Sequence, residues 1–132
     1  MKAISAKVTD GITIGTYLTC DDNSGAKLLY VINVIGKKGR RGRNLRGGVG
    51  DIIIASVKKG NEKMRKKIVR AVIIRQRMPY RRKDGTWIQF EDNAAALIDE
   101  LGQPLASEIK GVVAREVAER YPKVAGVAPG VV

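Results

Sequence analysis

The sequence contains no histidine, a single cysteine and few aromatic residues, and each shortage excludes a class of chemistry. Without histidine, acid–base catalysis near neutral pH would need a carboxyl, amine, phenol or thiol group with a strongly shifted pKa. Because Cys20 stands alone, the chain can form neither an internal disulfide nor a multi-cysteine metal site. We expect Cys20 to be a small buried side chain on a strand and not a reactive thiol.

Long apolar segments are also missing. No apolar run approaches the ~18 residues of a membrane-spanning helix, and residues 1–7 lack the apolar segment of a secretory signal. We therefore expect a cytoplasmic protein without membrane association. A chain of 132 residues with 44% hydrophobic content suits one folded domain over residues 1–132.

Carboxyl groups occur in adjacent pairs, which could suggest a catalytic or metal site. The pairs are Asp21–Asp22, Glu91–Asp92 and Asp99–Glu100. Neighbours on a strand point to opposite faces, so adjacency alone brings no two carboxylates together. The stretch 21–25 is better explained as a turn, since Asp and Asn bond their own backbone. We predict that the protein is not an enzyme and holds no metal or cofactor.

The positive charge is concentrated in the middle of the chain. Residues 36–83 contain 18 Lys or Arg against two acids, a net charge of +16. Residues 1–35 are balanced at three of each sign, whereas residues 84–132 carry four cations and eight acids. A basic middle between neutral and acidic ends indicates a surface that meets a polyanion, most commonly RNA or DNA.

Three basic segments contribute this charge: residues 36–48, 58–67 and 75–83. In the first, a glycine recurs among cation pairs, and we expect it to be mobile until phosphates order it. A solvated loop or a localisation signal is the alternative for that segment. The candidate RNA-binding residues are Lys37, Lys38, Arg40, Arg41, Arg43, Arg46, Lys58, Lys59, Lys63, Arg65, Lys66, Lys67, Arg75, Arg77, Arg81, Arg82 and Lys83.

Short β-strands are predicted over the first two thirds of the chain. Runs rich in β-branched, aliphatic and aromatic residues occur at residues 17–20, 27–35, 51–57, 68–77 and 86–90. The turn sequence at 22–25 predicts a β-hairpin between the first two runs. Asp84-Gly85 is a second turn signal, and Ile88 and Phe90 share one face of the strand after it. About five short strands favour a small closed barrel or a compact β body.

The end of the chain changes to a helical pattern. An apolar residue recurs every four positions, at Ile109, Val113, Val117 and Tyr121. Because Pro122 ends the pattern, we predict a helix over residues 112–121. The apolar stripe could pack on the barrel or face a neighbouring protein, and the needs of a small core favour the first. The opposite face, with Glu116, Glu119 and Arg120, is then the candidate surface for a protein partner.

Four motifs stand in a set order along the chain. They are Asp22-Asn23-Ser24-Gly25-Ala26, the segment from Val49-Gly50-Asp51 to Lys58-Lys59-Gly60, Ala71-Val72-Ile73-Ile74, and Asp84-Gly85-Thr86-Trp87-Ile88-Gln89-Phe90-Glu91-Asp92-Asn93-Ala94. Together they resemble the large-subunit ribosomal protein family called L-fourteen, over nearly the whole chain. Residues 36–48 and 79–85 resemble its archaeal and eukaryotic branch.

The resemblance implies a mainly β fold: a small closed five-stranded β-barrel with a projecting β-hairpin, basic loops and short C-terminal helices. We assign the barrel to about residues 1–107 and the helical segment to about 108–132. Residues 94–98 would then be a barrel strand, although helix propensity favours a helix over 94–101.

The resemblance also implies a function. Members are structural constituents of the large ribosomal subunit that bind its ribosomal RNA, contact neighbouring ribosomal proteins and help form intersubunit bridges to small-subunit RNA. They can also dock a factor that keeps the subunits apart. We accordingly expect a non-catalytic protein located in the cytoplasm within the ribosome, which does not form homo-oligomers.

Two other functions fit the charge alone. A free basic β-barrel that binds nucleic acid, or a nucleic-acid chaperone, would show exposed aromatic residues on adjacent strands. The aromatic content of 5% gives that alternative little support. A nuclease or RNA-modifying enzyme would need converging carboxylates or a cofactor site, and the sequence offers none.

Overall fold

The computed structural model describes residues 3–39 and 44–132 and shows a mainly β protein. Its strands are β1 (Ile12–Thr13), β2 (Tyr17–Cys20), β3 (Ala26–Val34), β4 (Arg46–Gly47), β5 (Ile52–Gly60), β6 (Ile68–Arg75), β7 (Tyr80–Arg81), β8 (Trp87–Ile88) and β9 (Ala94–Leu97). Two helices follow, α1 (Arg115–Arg120) and α2 (Pro122–Gly126). None of the helices in the described part of the chain is long and apolar enough to cross a membrane.

Five strands form a closed barrel in the order β2, β3, β5, β6 and β9. Strand β9 closes the ring because it pairs antiparallel with β6 and parallel with β2. The other neighbours in the barrel are antiparallel. Strands β1 and β4 pair in a second small sheet, and β7 and β8 in a third. The predicted fold class, a mainly β protein with a closed five-stranded barrel and short C-terminal helices, is confirmed.

Alternate residues of the barrel strands form the core. Leu18 lies opposite Leu29 across β2 and β3, and Ile53 lies opposite Ala71 across β5 and β6. All four side chains are fully buried, and in β2 and β5 the period of two marks the inner face. Strand β9 and residues 71–75 of β6 differ, because consecutive residues on both faces are buried there. A strand covered on both faces shows no polar alternation.

The helix that propensity favours at residues 94–101 is wrong. Ala94–Leu97 forms β9, as the resemblance to the ribosomal family implies for residues 94–98. This alanine-rich strand lies between β2 and β6. Pairing with strands on both sides outweighs the intrinsic preference of alanine for helix.

The predicted β2–β3 hairpin is confirmed, and Asp22 in its turn is buried. The Asp22 carboxylate accepts hydrogen bonds from the Ser24 backbone N–H at 3.2 Å and from the Leu97 N–H at 2.9 Å. It thereby ties the turn to β9. Cys20 is buried on β2, as predicted. Burial, together with the nearby Asp22 charge, raises the pKa of the Cys20 thiol to about 12.

The C-terminal helix is shorter than predicted. Instead of one helix over 112–121, α1 covers Arg115–Arg120, and Pro122 occupies the first turn of α2. Proline suits that position because its missing N–H needs no partner there. Val113 precedes α1 in extended backbone and forms a parallel bridge with Val131.

The apolar stripe nevertheless packs in the protein's own interior. Ile109, Val113 and Val117 belong to the same buried cluster as the barrel strands, and Tyr121 packs against that cluster. The preference for the core over a partner surface is therefore correct for these residues. The division into residues 1–107 and 108–132 stays a prediction.

Replacing Val117 by alanine should lower the free energy of unfolding by about 1–3 kcal/mol, because Val117 is fully buried and the change leaves a cavity. Urea denaturation of the isolated protein measures the effect. Leu101→Ala is the matched control, since Leu101 is 84% exposed and should cost less than about 0.5 kcal/mol. Equal stability of the two variants would contradict the packing of α1 on the core.

Candidate nucleic-acid interface

Exposed cations cluster where β5 turns back into β6. We name this group the hairpin cations; its members are Lys58, Lys59, Lys63, Arg65, Lys66 and Lys67, all exposed. Six cations against one acid, Glu62, within residues 58–67 produce a strong local positive potential. The group includes every candidate from the predicted segment 58–67.

The backbone that carries the hairpin cations is held by hydrogen bonds. The Asn61 carbonyl accepts from the N–H groups of Met64 and Arg65 at 3.1 and 2.9 Å. The Lys66 N–H donates to the Val57 carbonyl at 3.0 Å, and Lys66 takes a left-handed conformation with φ of 65°. Because these hydrogen bonds already order the backbone of the connection, little backbone entropy is lost when its side chains bind phosphates.

Two tyrosines lie beside the hairpin cations. Tyr17 and Tyr30 are cross-strand partners on β2 and β3, with ring centroids 5.2 Å apart in an edge-to-face arrangement. The Lys58 ammonium lies 5.3 Å from the centroid of the Tyr30 ring. Tyr17 is 57% exposed, so an aromatic surface borders the basic one.

The glycine-rich segment is only partly described. The predicted contacts of Arg40, Arg41 and Arg43 lie outside the described residues. Lys38 and Arg46 are exposed, and the Lys37 ammonium lies 3.7 Å from carboxylate oxygens of both Asp10 and Asp51.

The end of the segment 36–48, which we expected to be mobile until phosphates order it, is packed into the fold. Gly47 pairs with Ile12 in the β1–β4 sheet, and Gly47 and Gly48 are buried. A Cβ at Gly48 would lie 2.7 Å from Val8 Cγ1 and 2.9 Å from Gln76 Oε1, so only glycine permits this close approach.

Arg75 is a candidate that the structure places inside the protein, 7% exposed at the end of β6. Its guanidinium donates to Asp92 at 2.9 and 3.0 Å, to Asp21 at 2.7 Å and to the Val112 carbonyl at 2.8 Å. Although burial disfavours the charged form, the hydrogen bonds to Asp92 and Asp21 keep the pKa of Arg75 above its ordinary value. We therefore remove Arg75 from the candidate RNA-binding residues.

Arg82 is buried as well, and its partner Glu116 is only 1% exposed. The Arg82 Nε donates to Glu116 at 2.8 Å, and the Tyr80 hydroxyl donates to the same carboxylate at 2.7 Å. Burial and the neighbouring Glu116 charge raise the pKa of Tyr80. The prediction that Glu116 lies on an exposed helix face for a partner is wrong, and Arg82 is not presented to RNA.

The other two partner candidates lie closer to the surface. Glu119 is partly exposed and accepts hydrogen bonds from the Ser5 N–H at 2.9 Å and the Ser5 hydroxyl at 2.6 Å. Those bonds lower the pKa of Glu119. Arg120 donates to the Gly50 carbonyl at 3.2 Å and lies 3.3 Å from Asp51 Oδ1. Both residues thus join α1 to the rest of the chain, and a partner contact through them stays a prediction.

The third basic segment, residues 75–83, has three of its cations at the surface. Arg77, Arg81 and Lys83 are exposed. Arg81 lies opposite Trp87 across β7 and β8, and Trp87 is 63% exposed. This hairpin and residues 5–10 form the walls of a groove of about 650 Å³.

Tyr17, Tyr30 and Trp87 border the basic surfaces without having been predicted as site residues. The signal for Trp87 was present, because Ile88 and Phe90 share one face of the strand and Trp87 therefore lies on the other. Nothing in the composition distinguishes exposed from buried aromatic residues, so the tyrosine pair required the strand register.

Comparison with known proteins matches this chain to one family. The model of the family "Ribosomal protein L14p/L23e" matches residues 11–132. The large ribosomal subunit protein uL14 of Halobacterium salinarum is 49% identical over 132 residues, covering 100% of each chain. Those of Thermoplasma acidophilum and Picrophilus torridus are 52% and 51% identical over 97% and 100% of each chain. The chain belongs to this family.

Membership confirms the resemblance seen in the sequence and the expectation of a non-catalytic, structural ribosomal protein. It also confirms a location in the cytoplasm within the ribosome. Within residues 3–39 and 44–132, no three Cys, Asp or Glu side chains are grouped in a way that could hold a metal ion.

Replacing Arg75 by leucine should lower the free energy of unfolding by about 3 kcal/mol, because it leaves Asp21 and Asp92 without their cation. The value is at the low end of the range for broken buried pairs, since the Asp92 side chain is 45% exposed. Urea denaturation at pH 7 measures it. A loss below about 1 kcal/mol would show that the guanidinium is dispensable to the fold.

The contribution of the Arg75–Asp92 pair should also depend on pH. The hydrogen bond from Arg75 lowers the pKa of Asp92 below its ordinary 3.8 in the folded protein. The pair's contribution is therefore full above about pH 4 and lost as the pH falls through the folded pKa. The stability difference between wild type and Asp92→Asn should shrink as the pH falls below about 4. Glu91→Gln, at the exposed neighbouring position, is the control for the loss of one carboxylate.

Proposed function

We propose that the protein binds ribosomal RNA of the large subunit through the hairpin cations, with further contacts from Lys38, Arg46, Arg77, Arg81 and Lys83. The observation that carries this proposal is the hairpin itself: six exposed cations on a hydrogen-bonded connection between two long barrel strands. Membership of a ribosomal protein family makes ribosomal RNA the available polyanion.

Phosphate contact is the main source of affinity in this proposal. Arginine forks and lysine ammonium groups bind phosphate oxygens without reading base sequence. The barrel holds the cations at set positions, so they can meet phosphates from RNA segments that are distant in the RNA sequence. Binding then stabilises one RNA arrangement over others.

We further infer contacts with neighbouring ribosomal proteins and, across an intersubunit bridge, with small-subunit RNA. The acidic part of the chain, residues 84–132, is better suited to proteins than to RNA, because it carries eight acids against four cations. A surface that includes Glu119 is our candidate for a protein neighbour or for a factor that keeps the subunits apart.

One observation favours the alternative of a free nucleic-acid-binding barrel. Tyr17 and Tyr30 lie on adjacent strands beside Lys58, which is the arrangement of a base-stacking platform. Sedimentation of a cell lysate separates the two functions. Co-migration with the large subunit after a high-salt wash supports the ribosomal function, whereas a pool that stays with free nucleic acid supports the alternative.

Affinity of the isolated protein for large-subunit RNA should fall steeply with salt. Neutralising about six phosphates releases their counterions and gives a slope of log affinity against log salt of about −4 to −5. Fluorescence anisotropy of labelled RNA between 50 and 300 mM salt measures it. A slope shallower than about −2 would show that most of the exposed cations do not touch RNA.

The triple change Lys59→Gln, Lys63→Gln and Arg65→Gln should reduce that slope by about three, one per phosphate contact removed. Thermal stability should hold, because all three side chains are exposed. The matched control replaces Lys110, Arg115 and Lys123 by glutamine, which removes the same charge from exposed positions in the acidic part. If both triple variants weaken binding equally, net charge and not the hairpin determines affinity.

A further inference from the structure

The groove between residues 5–10 and the β7–β8 hairpin has the size and chemistry of a binding site. Its volume of about 650 Å³ lies within the range of pockets for small ligands. Its apolar wall includes Val8 and the indole of Trp87. The charged residues that line it are Lys7, Asp10, Arg81, Arg82 and Lys83.

Trp87 is the unexpected member of this lining. It is the only tryptophan of the chain, and 63% of it is exposed although large aromatic side chains usually gain from burial. Its neighbour Ile88 turns to the other side of the strand and packs against the core. The strand register therefore directs Trp87 to the surface, and packing in the core does not account for this residue.

The hairpin that carries Trp87 is held firmly. The Arg82 N–H donates to the Thr86 carbonyl at 2.8 Å, and the Asp84 carboxylate accepts from the Thr86 N–H at 2.9 Å. Below it, Tyr80 and Arg82 are both anchored to the buried Glu116. The indole is thus presented on a preorganised support, which limits the entropy lost when a ligand stacks on it.

The charge around the indole favours an anionic ligand. Lys7, Arg81 and Lys83 are exposed at the groove. The guanidinium of Arg82 is engaged by Glu116, and the carboxylate of Asp10 lies 3.7 Å from the Lys37 ammonium. Three cations and one partly compensated acid leave the groove positive, which suits phosphate and disfavours a basic or neutral apolar ligand.

We propose that this groove binds one unpaired nucleotide of RNA, with the base stacked on Trp87 and the flanking phosphates near Lys7, Arg81 and Lys83. The inference rests on the proposed RNA-binding function and specifies a single-stranded element within it. Stacking on an aromatic side chain requires a base that is free of its duplex neighbours. A duplex would offer the groove only its backbone.

Trp87 supplies its own probe, because no other tryptophan contributes to the emission. The full-length protein is titrated with a single-stranded oligoribonucleotide and with a duplex of the same composition, at low salt. We expect the single strand to quench the Trp87 fluorescence, with a midpoint equal to that of binding measured by anisotropy. The duplex should bind without comparable quenching. Equal quenching by both would overturn the proposal.

Substitutions separate the stacking from the charge. Trp87→Ala should weaken single-strand binding by about 5- to 150-fold, the loss expected for one stacked base, and Trp87→Phe should recover most of it. Both variants should fold, since the side chain is largely exposed. The double change Arg81→Gln and Lys83→Gln should lower the salt slope by about two while the quenching at saturation persists. Leu101→Ala, at an exposed apolar position in the acidic part, is the control and should bind like wild type.

The outcomes distinguish this inference from the function on which it rests. If wild type binds RNA with the predicted salt slope but Trp87→Ala binds equally well, the groove takes no base and RNA binding by the hairpin cations stands. If wild type binds neither RNA, both the proposed function and the groove inference are overturned.

Discussion

A single buried guanidinium, that of Arg75, joins four separate parts of the chain. From the end of β6 it reaches the turn after β2 through Asp21, the entry to β9 through Asp92 and the approach to α1 through the Val112 carbonyl. A buried cation is tolerated only when its donors are satisfied, so these four parts must assemble together around it. The barrel and the C-terminal segment are therefore coupled by one side chain.

The basic middle of the chain contains two kinds of cation, internal and outward-facing, which composition alone does not distinguish. Arg75 and Arg82 are internal and neutralised, whereas the hairpin cations face outward. The internal pairs hold the body together, because each buried guanidinium donates hydrogen bonds to carboxylates from distant parts of the chain. The outward cations repel one another and lower the stability of the free protein until a polyanion approaches. Folding and the proposed RNA binding thus depend on different arginines from the same stretch of sequence.

Much of the fold could be predicted from local signals. The Asp22–Gly25 turn, the period of two in the strands and the proline after Tyr121 each determine structure within a few residues. The buried ion pairs could not be predicted, because Arg75 meets Asp21 across 54 positions and Arg82 meets Glu116 across 34. The shortened α1 has the same cause: Val113 pairs with Val131, a contact that a four-residue periodicity cannot reveal.

Closure of the barrel by β9 has a consequence for the order of events during synthesis. The Leu97 N–H donates a hydrogen bond to the Asp22 carboxylate, 75 positions earlier in the chain, so the nascent chain cannot complete the ring before residue 97 has emerged. Until then β2 and β6 keep open edges with unpaired backbone groups, which can pair with other chains. A barrel that depends on such a distant contact folds slowly for its size. Newly made copies are therefore most prone to pair edge to edge during that interval.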